Sequence, residues 1–239
     1  MKNFKHVFFD VDQTLTRSRS LIEPSMKEAL MRLALAKNVI TVSGATAEQT
    51  LKQVTPDFLG NIFMLAQNGN YAKAPDQSEL WRNTLSENQK KEVLEHVKNI
   101  KNLFGHLLVG ADEGDLIQDR GCQISFSLLG HNANLEKKEQ FDPKAERRVD
   151  VLSKIPFVSE TLEIKIGGTT CFDYFERGKN KGYNVKRLLE TLGWNKEDAL
   201  YIGDALFPGG NDETVVGVCE TLQVSHPGDT LAAIRKMIQ

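Results

Sequence analysis

Cysteine is scarce, with three residues (Cys122, Cys171, Cys219) that are odd in number and lack metal-ligand spacing. This argues against a disulfide framework or a zinc site, and the three read as buried thiols in a reducing compartment. No apolar run approaches the roughly 20 residues a membrane helix needs. The opening Met1-Lys2-Asn3-Phe4-Lys5 runs straight into a strand without the apolar core of a signal peptide. Charge of one sign is lacking too, since 30 basic and 32 acidic residues leave a net −2. There is thus no electrostatic case for nucleic acid or an anionic membrane as partner, and any anion site must be local. Internal repeats and low-complexity segments are absent. What these absences leave is a soluble cytoplasmic protein of 239 residues, 40% hydrophobic, able to fill one ordinary core plus a smaller one.

Against this background one segment stands out. Val7-Phe8-Phe9-Asp10-Val11-Asp12-Gln13-Thr14-Leu15 is an apolar strand that delivers two aspartates into a polar turn. Alternate residues of a strand point the same way, so both carboxylates leave together while Val11 faces away. Two such charges repel unless a cation neutralises one or one holds a proton. The pair is a candidate for Mg²⁺ binding with acid–base or nucleophilic work, although a turn former and helix cap would use the same residues.

A second apolar run, Ala199-Leu200-Tyr201-Ile202-Gly203-Asp204, ends in aspartate and leads into Pro208-Gly209-Gly210-Asn211-Asp212. Two buried strands with acidic ends predict a metal-collecting rim at the carboxyl edge of a parallel sheet, where ligands of such sheets sit. Thr41-Val42-Ser43-Gly44 ends another strand. There Ser43 and the backbone amides of Gly44 and Ala45 can cradle a phosphate. Lys181, opening a helix, can hold a nucleophile and a transferring phosphoryl group by charge.

Periodicity supplies the frame. Strand, helix, strand, helix and strand follow one another up to Gln67-Asn68-Gly69, the pattern of a doubly wound parallel sheet. The pattern changes near Trp81. Ser86 and Gln89 form a capping-box pair, and Val93, Val97, Ile100 and Phe104 make a helical stripe. Strands are predicted at 107–109, 116–129 and 162–166, with a charged stretch over 131–148 between them. The parallel-sheet pattern resumes at Lys181. The predicted fold is α/β: a Rossmann-like parallel-sheet core over 1–83 and 179–239, with an α+β cap domain inserted over 84–178.

These residues together resemble the four motifs of the haloacid-dehalogenase-like phosphotransferase superfamily. They are Asp10-x-Asp12-x-Thr14, Thr41-Val42-Ser43-Gly44, Lys181, and Gly203-Asp204 with Asn211-Asp212. The resemblance covers essentially the whole chain and lies in the branch with a large α/β cap, which includes Cof-type sugar phosphatases and alpha-phosphomannomutases. Thr14-Leu15-Thr16 with Arg19, Ile124-Ser125-Phe126-Ser127, and Gly167-Gly168 ahead of Phe172-Asp173-Tyr174-Phe175 lean towards the mutases.

The resemblance implies Mg²⁺ held by Asp10, the backbone carbonyl of Asp12, and Asp204, with Asp212 in or near the shell. It implies phosphate contacts from Thr14 and Ser43, and dimerisation through the cap as an alternative to a monomer. Asp10 is the candidate nucleophile, because carboxylate attack on phosphorus needs chiefly alignment and charge neutralisation. Asp12 is the candidate acid and base. Thr14 could equally cap the turn and Asp212 brace its loop. In the cap, Arg19, Arg120, His131, Lys165 and Asp173 are candidates to meet the leaving group.

Three departures weigh on the choice of reaction. The mutase pattern Ser-Pro-x-Gly-Arg appears as Ser127-Leu128-Leu129-Gly130-His131, and a histidine is a poorer phosphate clamp than a guanidinium. Cys171 stands where the mutases have a serine, and Gln13 replaces the usual glycine of the first motif. The reading preferred on sequence is therefore a Mg²⁺-dependent phosphohydrolase of a sugar phosphate or similar small metabolite. Phosphomannomutase activity is the alternative, and a non-catalytic sugar-phosphate-binding protein a remote third.

Overall fold

The computed structural model describes residues 2–18, 20–108 and 112–238. Arg19 and Val109 lie outside the described residues. The chain divides into two compact units, Met1–Arg82 with Lys179–Gln239, and Asn83–Gly178.

In the first unit β1 (His6–Asp10) is buried along its whole length. Val7 and Phe9 face one apolar cluster and Phe8 the other, so helices cover both sides of the sheet. Pro24 sits in the first turn of α1 (Pro24–Ala34), which buries Met26, Ala29, Leu30 and Leu33. Next come β2 (Asn38–Val42) and α2 (Ala47–Val54), whose start is fixed by a capping box between Thr46 and Gln49. The first segment closes with β3 (Ile62–Ala66), β4 (Tyr71–Lys73) and β5 (Glu79–Arg82).

The inserted unit contains α3 (Glu87–Phe104), β6 (Ile117–Asp119), β7 (Gln123–Ser127), α4 (Leu135–Phe141), α5 (Glu146–Lys154), β8 (Leu162–Gly167) and β9 (Cys171–Glu176). The chain then returns to the first unit through α6 (Lys181–Thr191), β10 (Ala199–Gly203), β11 (Glu220–Gln223) and α7 (Pro227–Met237).

The larger sheet runs β11-β10-β1-β2-β3-β4-β5. Its first five strands are parallel, and β4 and β5 add an antiparallel edge. The chain leaves β1 towards β2 on one side and returns as β10 on the other, so β1 borders the switch point where ligands of such sheets bind. The smaller sheet is antiparallel, in the order β6-β7-β9-β8. Ile124, Phe126, Phe172 and Tyr174 supply its apolar face, packed with Val93, Val97 and Ile100 of α3 and Val151 of α5. The register sets Gln118, Ser125, Asp173 and Lys165 side by side in one polar row across all four strands.

One buried ion pair ties this unit together. Arg148 Nε donates to Asp142 Oδ2 at 2.8 Å, and Nη1 donates to the carbonyls of Gly167 and Gly168 in the β8–β9 turn at 3.0 and 2.8 Å.

The mixed α/β class with a parallel core is as expected. Two local readings differ. Leu107 and Leu108 lie in a 3₁₀ turn, Gly105–Leu108, that extends the end of α3 rather than in a strand. A three-residue apolar run is too short for its period to distinguish the two. The β4–β5 edge escaped notice for the same reason. Among the described residues no helix is long and apolar enough to cross a membrane.

Candidate active site

Asp10 is the last residue of β1, and the register sets Phe9 beside Ile202 and Asp10 beside Val42. Asp204 therefore follows the neighbouring strand end on one side, and Ser43 the strand end on the other. Lys181 opens α6, whose cap Asn180 accepts a hydrogen bond from Tyr183 N. Its ammonium donates to Asp10 Oδ1 at 2.6 Å and to Asp212 Oδ1 at 2.7 Å. Asp212 reaches this position because residue 203 is glycine, where a Cβ would collide with its carboxylate. Asp10 (4% exposed), Lys181 (1%) and Asp212 (0%) are all buried.

Burial raises the Asp10 carboxyl well above the usual carboxylate range. The Lys181 charge opposes that rise, and the Asp212 and Asp204 charges add to it. Asp204 is raised by burial and by Asp212. Burial would lower the Lys181 ammonium, but the two carboxylates outweigh it and hold the group protonated. Three clustered carboxylates face one ammonium, an arrangement that favours a further cation.

The donor set supports a hard divalent ion. One carboxylate oxygen from each of Asp10, Asp204 and Asp212 lies within 4.8 Å of the others, and all-oxygen ligation suits Mg²⁺. The backbone carbonyl of Asp12 is the remaining expected ligand.

Other expected residues take less direct positions. Thr14 is fully buried, and its hydroxyl lies 3.5 Å from Asp204 Oδ1, facing the acidic rim. Ser43 Oγ accepts the Ala45 amide at 3.0 Å, so that amide is already engaged. Gly44 follows Ser43 in the same turn. Gln13 adopts φ 60°. This left-handed conformation accounts for the glycine expected at that point, and a glutamine holds it under strain.

In the inserted unit, Asp173 Oδ1 and Ser125 Oγ, neighbours in the polar row, are buried and make no hydrogen bond among the described residues. Lys165 lies next to Asp173 on the other side. Arg120 reaches the end of the row, its Nη2 3.0 Å from Gln118 Oε1. His131 is buried with Nε2 3.1 Å from the Ser125 carbonyl, and Lys138 Nζ donates to the His131 carbonyl. Of the residues expected to meet a leaving group, Asp173, Lys165, Arg120 and His131 thus gather around one row. Arg19 is outside the described residues.

Two residues that the sequence does not mark as site residues touch the site. Tyr201 Oη donates to Asp212 Oδ1 at 2.6 Å, and burial with the Asp212 charge raises its pKa. Gln53 Nε2 donates to Asp12 Oδ1 at 2.9 Å. In sequence Tyr201 passes for a core residue of an apolar strand and Gln53 for the polar face of a helix. Only packing distinguishes them.

Comparison with known proteins bears on the family and the fold. A family model described as eukaryotic phosphomannomutase matches residues 26–239. Phosphomannomutase 2 of Dictyostelium discoideum is 28% identical over 239 residues, covering 95% of this chain and 93% of its own. Among solved structures, the IMP-nucleotidase of Plasmodium falciparum shares the fold at TM-score 0.67 and 17% identity, over 99% of this chain and 68% of its own. A phosphatase of the haloalkanoate (HAD) superfamily from Bacteroides thetaiotaomicron does so at TM-score 0.57 and 16% identity, over 90% and 81%. The superfamily is thus the expected one. For the reaction, the family model and the Dictyostelium relative favour the alternative drawn from the sequence over the hydrolase preferred there.

Proposed function

The chain belongs to the eukaryotic phosphomannomutase family, and from that membership we propose that it interconverts mannose 1-phosphate and mannose 6-phosphate through a phosphoaspartate on Asp10. The observation that carries the chemistry is the buried Lys181 ammonium shared by Asp10 and Asp212 at 2.6 and 2.7 Å. It orients the nucleophile and offsets part of the charge that gathers when a phosphate approaches.

Asp10 Oδ attacks phosphorus while the bond to the sugar oxygen breaks, and Asp12 donates a proton to that oxygen. In the second half-reaction Asp12 takes a proton from an incoming sugar hydroxyl, which attacks phosphorus and frees Asp10. Ser43, Gly44 and Thr14 hold the phosphate. Asp10, Asp204, Asp212 and the Asp12 carbonyl would hold Mg²⁺, whose charge when bound neutralises phosphoryl oxygens and carboxylates as they meet.

Recognition of the sugar falls to the row of Ser125, Asp173 and Lys165 with Arg120, where two buried polar atoms await partners. A cytoplasmic location, and a monomer or cap-mediated homodimer, complete the proposal.

His131 supports hydrolysis as a second reading, since its ring is engaged by the Ser125 carbonyl of β7 rather than offering a permanent charge to a second phosphate. Incubation with mannose 1-phosphate and a trace of glucose 1,6-bisphosphate separates the two. Mannose 6-phosphate without free phosphate is expected, whereas phosphate release without isomer would establish the hydrolase. Asp10→Asn should abolish turnover of either kind.

A further inference from the structure

We propose that Gln53 is a positioning residue for proton transfer by Asp12. The inference rests on the phosphoaspartate reading above and assigns a role to a residue which that reading leaves unused.

Gln53 lies in the last turn of α2 and is 7% exposed. Its Nε2 is 2.9 Å from Asp12 Oδ1 and 3.4 Å from Thr16 Oγ1. Once Asp12 is a carboxylate its oxygens only accept, so the atom that faces it is then the amide N–H₂. The backbone on either side of this contact is held in place. The Gln53 main-chain carbonyl accepts from Ile22 N at 2.8 Å, and Thr16 N donates to the Val11 carbonyl at 3.0 Å, which closes the turn that carries Asp12. The first turn of the same helix follows the Ser43–Gly44 phosphate loop. One rigid element thus spans the phosphate contact and the proton donor.

When Asp10 attacks, the phosphorus–oxygen bond breaks and its electron pair goes to the sugar oxygen, which takes the proton of Asp12. Asp12 is left as a carboxylate. A hydrogen bond to a carboxylate is about twice as strong as one to a neutral acceptor. The Gln53 N–H therefore binds Asp12 more tightly as the proton departs than before, and such a difference lowers the barrier. It also holds the carboxyl in one torsion throughout. The return step reverses both proton and charge and draws on the same contact.

This role predicts a dependence on the leaving group. A sugar alkoxide needs the proton, whereas 2,4-dinitrophenolate leaves without it. In the mutase cycle mannose 1-phosphate accepts a phosphoryl group from the phosphoenzyme with Asp12 as base, and the bisphosphate formed returns one to Asp10 with Asp12 as acid. The kcat/KM of mannose 1-phosphate therefore draws on Asp12, whereas that of 2,4-dinitrophenyl phosphate reports transfer to Asp10 alone. Gln53→Met keeps the length of the side chain and removes the donor. Its kcat/KM with mannose 1-phosphate is expected to fall about 10- to 100-fold relative to its kcat/KM with 2,4-dinitrophenyl phosphate.

Gln53→Leu, checked by thermal unfolding, serves as a second variant should the first fold poorly. Placed on Asp12→Ala, Gln53→Met should add no further selective loss. Equal losses on both donors, no loss on either, or full additivity with Asp12→Ala would each overturn the proposal. Failure of the underlying reading looks different, because Asp10→Asn would then keep its activity on both donors.

Discussion

Replacing Lys181 by methionine tests the centre of the site directly. The ammonium is 1% exposed, 2.6 Å from Asp10 and 2.7 Å from Asp212. At an effective dielectric of about 20, each contact carries on the order of 6 kcal/mol of attraction. The cost of burying the ions offsets most of this in the intact protein. In Lys181→Met that cost remains while the attraction is gone, and deletions of this kind cost about 3–5 kcal/mol. At about 2–4 °C per kcal/mol for a chain of this size, Tm should fall by about 6–20 °C.

The assay is thermal and urea unfolding followed by circular dichroism without added metal. Adding Asp212→Asn removes one of the two stranded carboxylates, so the double variant should be more stable than Lys181→Met alone. A loss below about 1 kcal/mol, or no recovery in the double variant, refutes the claim that Lys181 is the charge partner of both aspartates.

Two further outcomes concern stability elsewhere. Gln13→Gly should raise unfolding stability by about 1 kcal/mol, because φ 60° no longer strains a side chain; an unchanged or lower urea midpoint contradicts this. His96 is buried in the inserted unit, with Nε2 2.9 Å from the Ile155 carbonyl and Nδ1 2.8 Å from Tyr174 Oη. Burial lowers its pKa from 6.5, with the Ile155 carbonyl opposing, so on acidification the unfolded chain takes the proton first and stability drops as pH falls below about 6.5. Melting curves between pH 7.5 and 5.5 should show that decline, and His96→Gln should flatten it.

Much of the catalytic end was legible because its chemistry sits where strands stop. Apolar runs that end in Asp10, Ser43 and Asp204 announce one sheet edge, and the parallel sheet follows from their alternation with helical stripes. The residues that stayed hidden owe their roles to contacts across elements. Gln53 meets Asp12 across 41 positions, and Tyr201 meets Asp212 through the tip of an otherwise apolar ring. The segment 131–148 reads only as a charged stretch, yet it contains Asp142 and Arg148, whose side chains are 2% and 3% exposed. Charge pattern records how many ions a segment carries and not which of them fold inward. Gln13 shows in sequence only as a departure from glycine, and the backbone angle beneath it explains what the position demands.

The pairing of β1 has a consequence for synthesis. One flank of Val7-Phe8-Phe9 finds β2 early, but the other waits for Ala199–Gly203. At about 5–20 residues per second, a ribosome leaves that edge open for on the order of 10–40 s. An open apolar edge recruits strands from other chains. The inserted unit, with its own apolar cluster, finishes during that wait, so the nascent protein is most exposed to aggregation before its last quarter emerges, and slower translation or a holdase chaperone would act there.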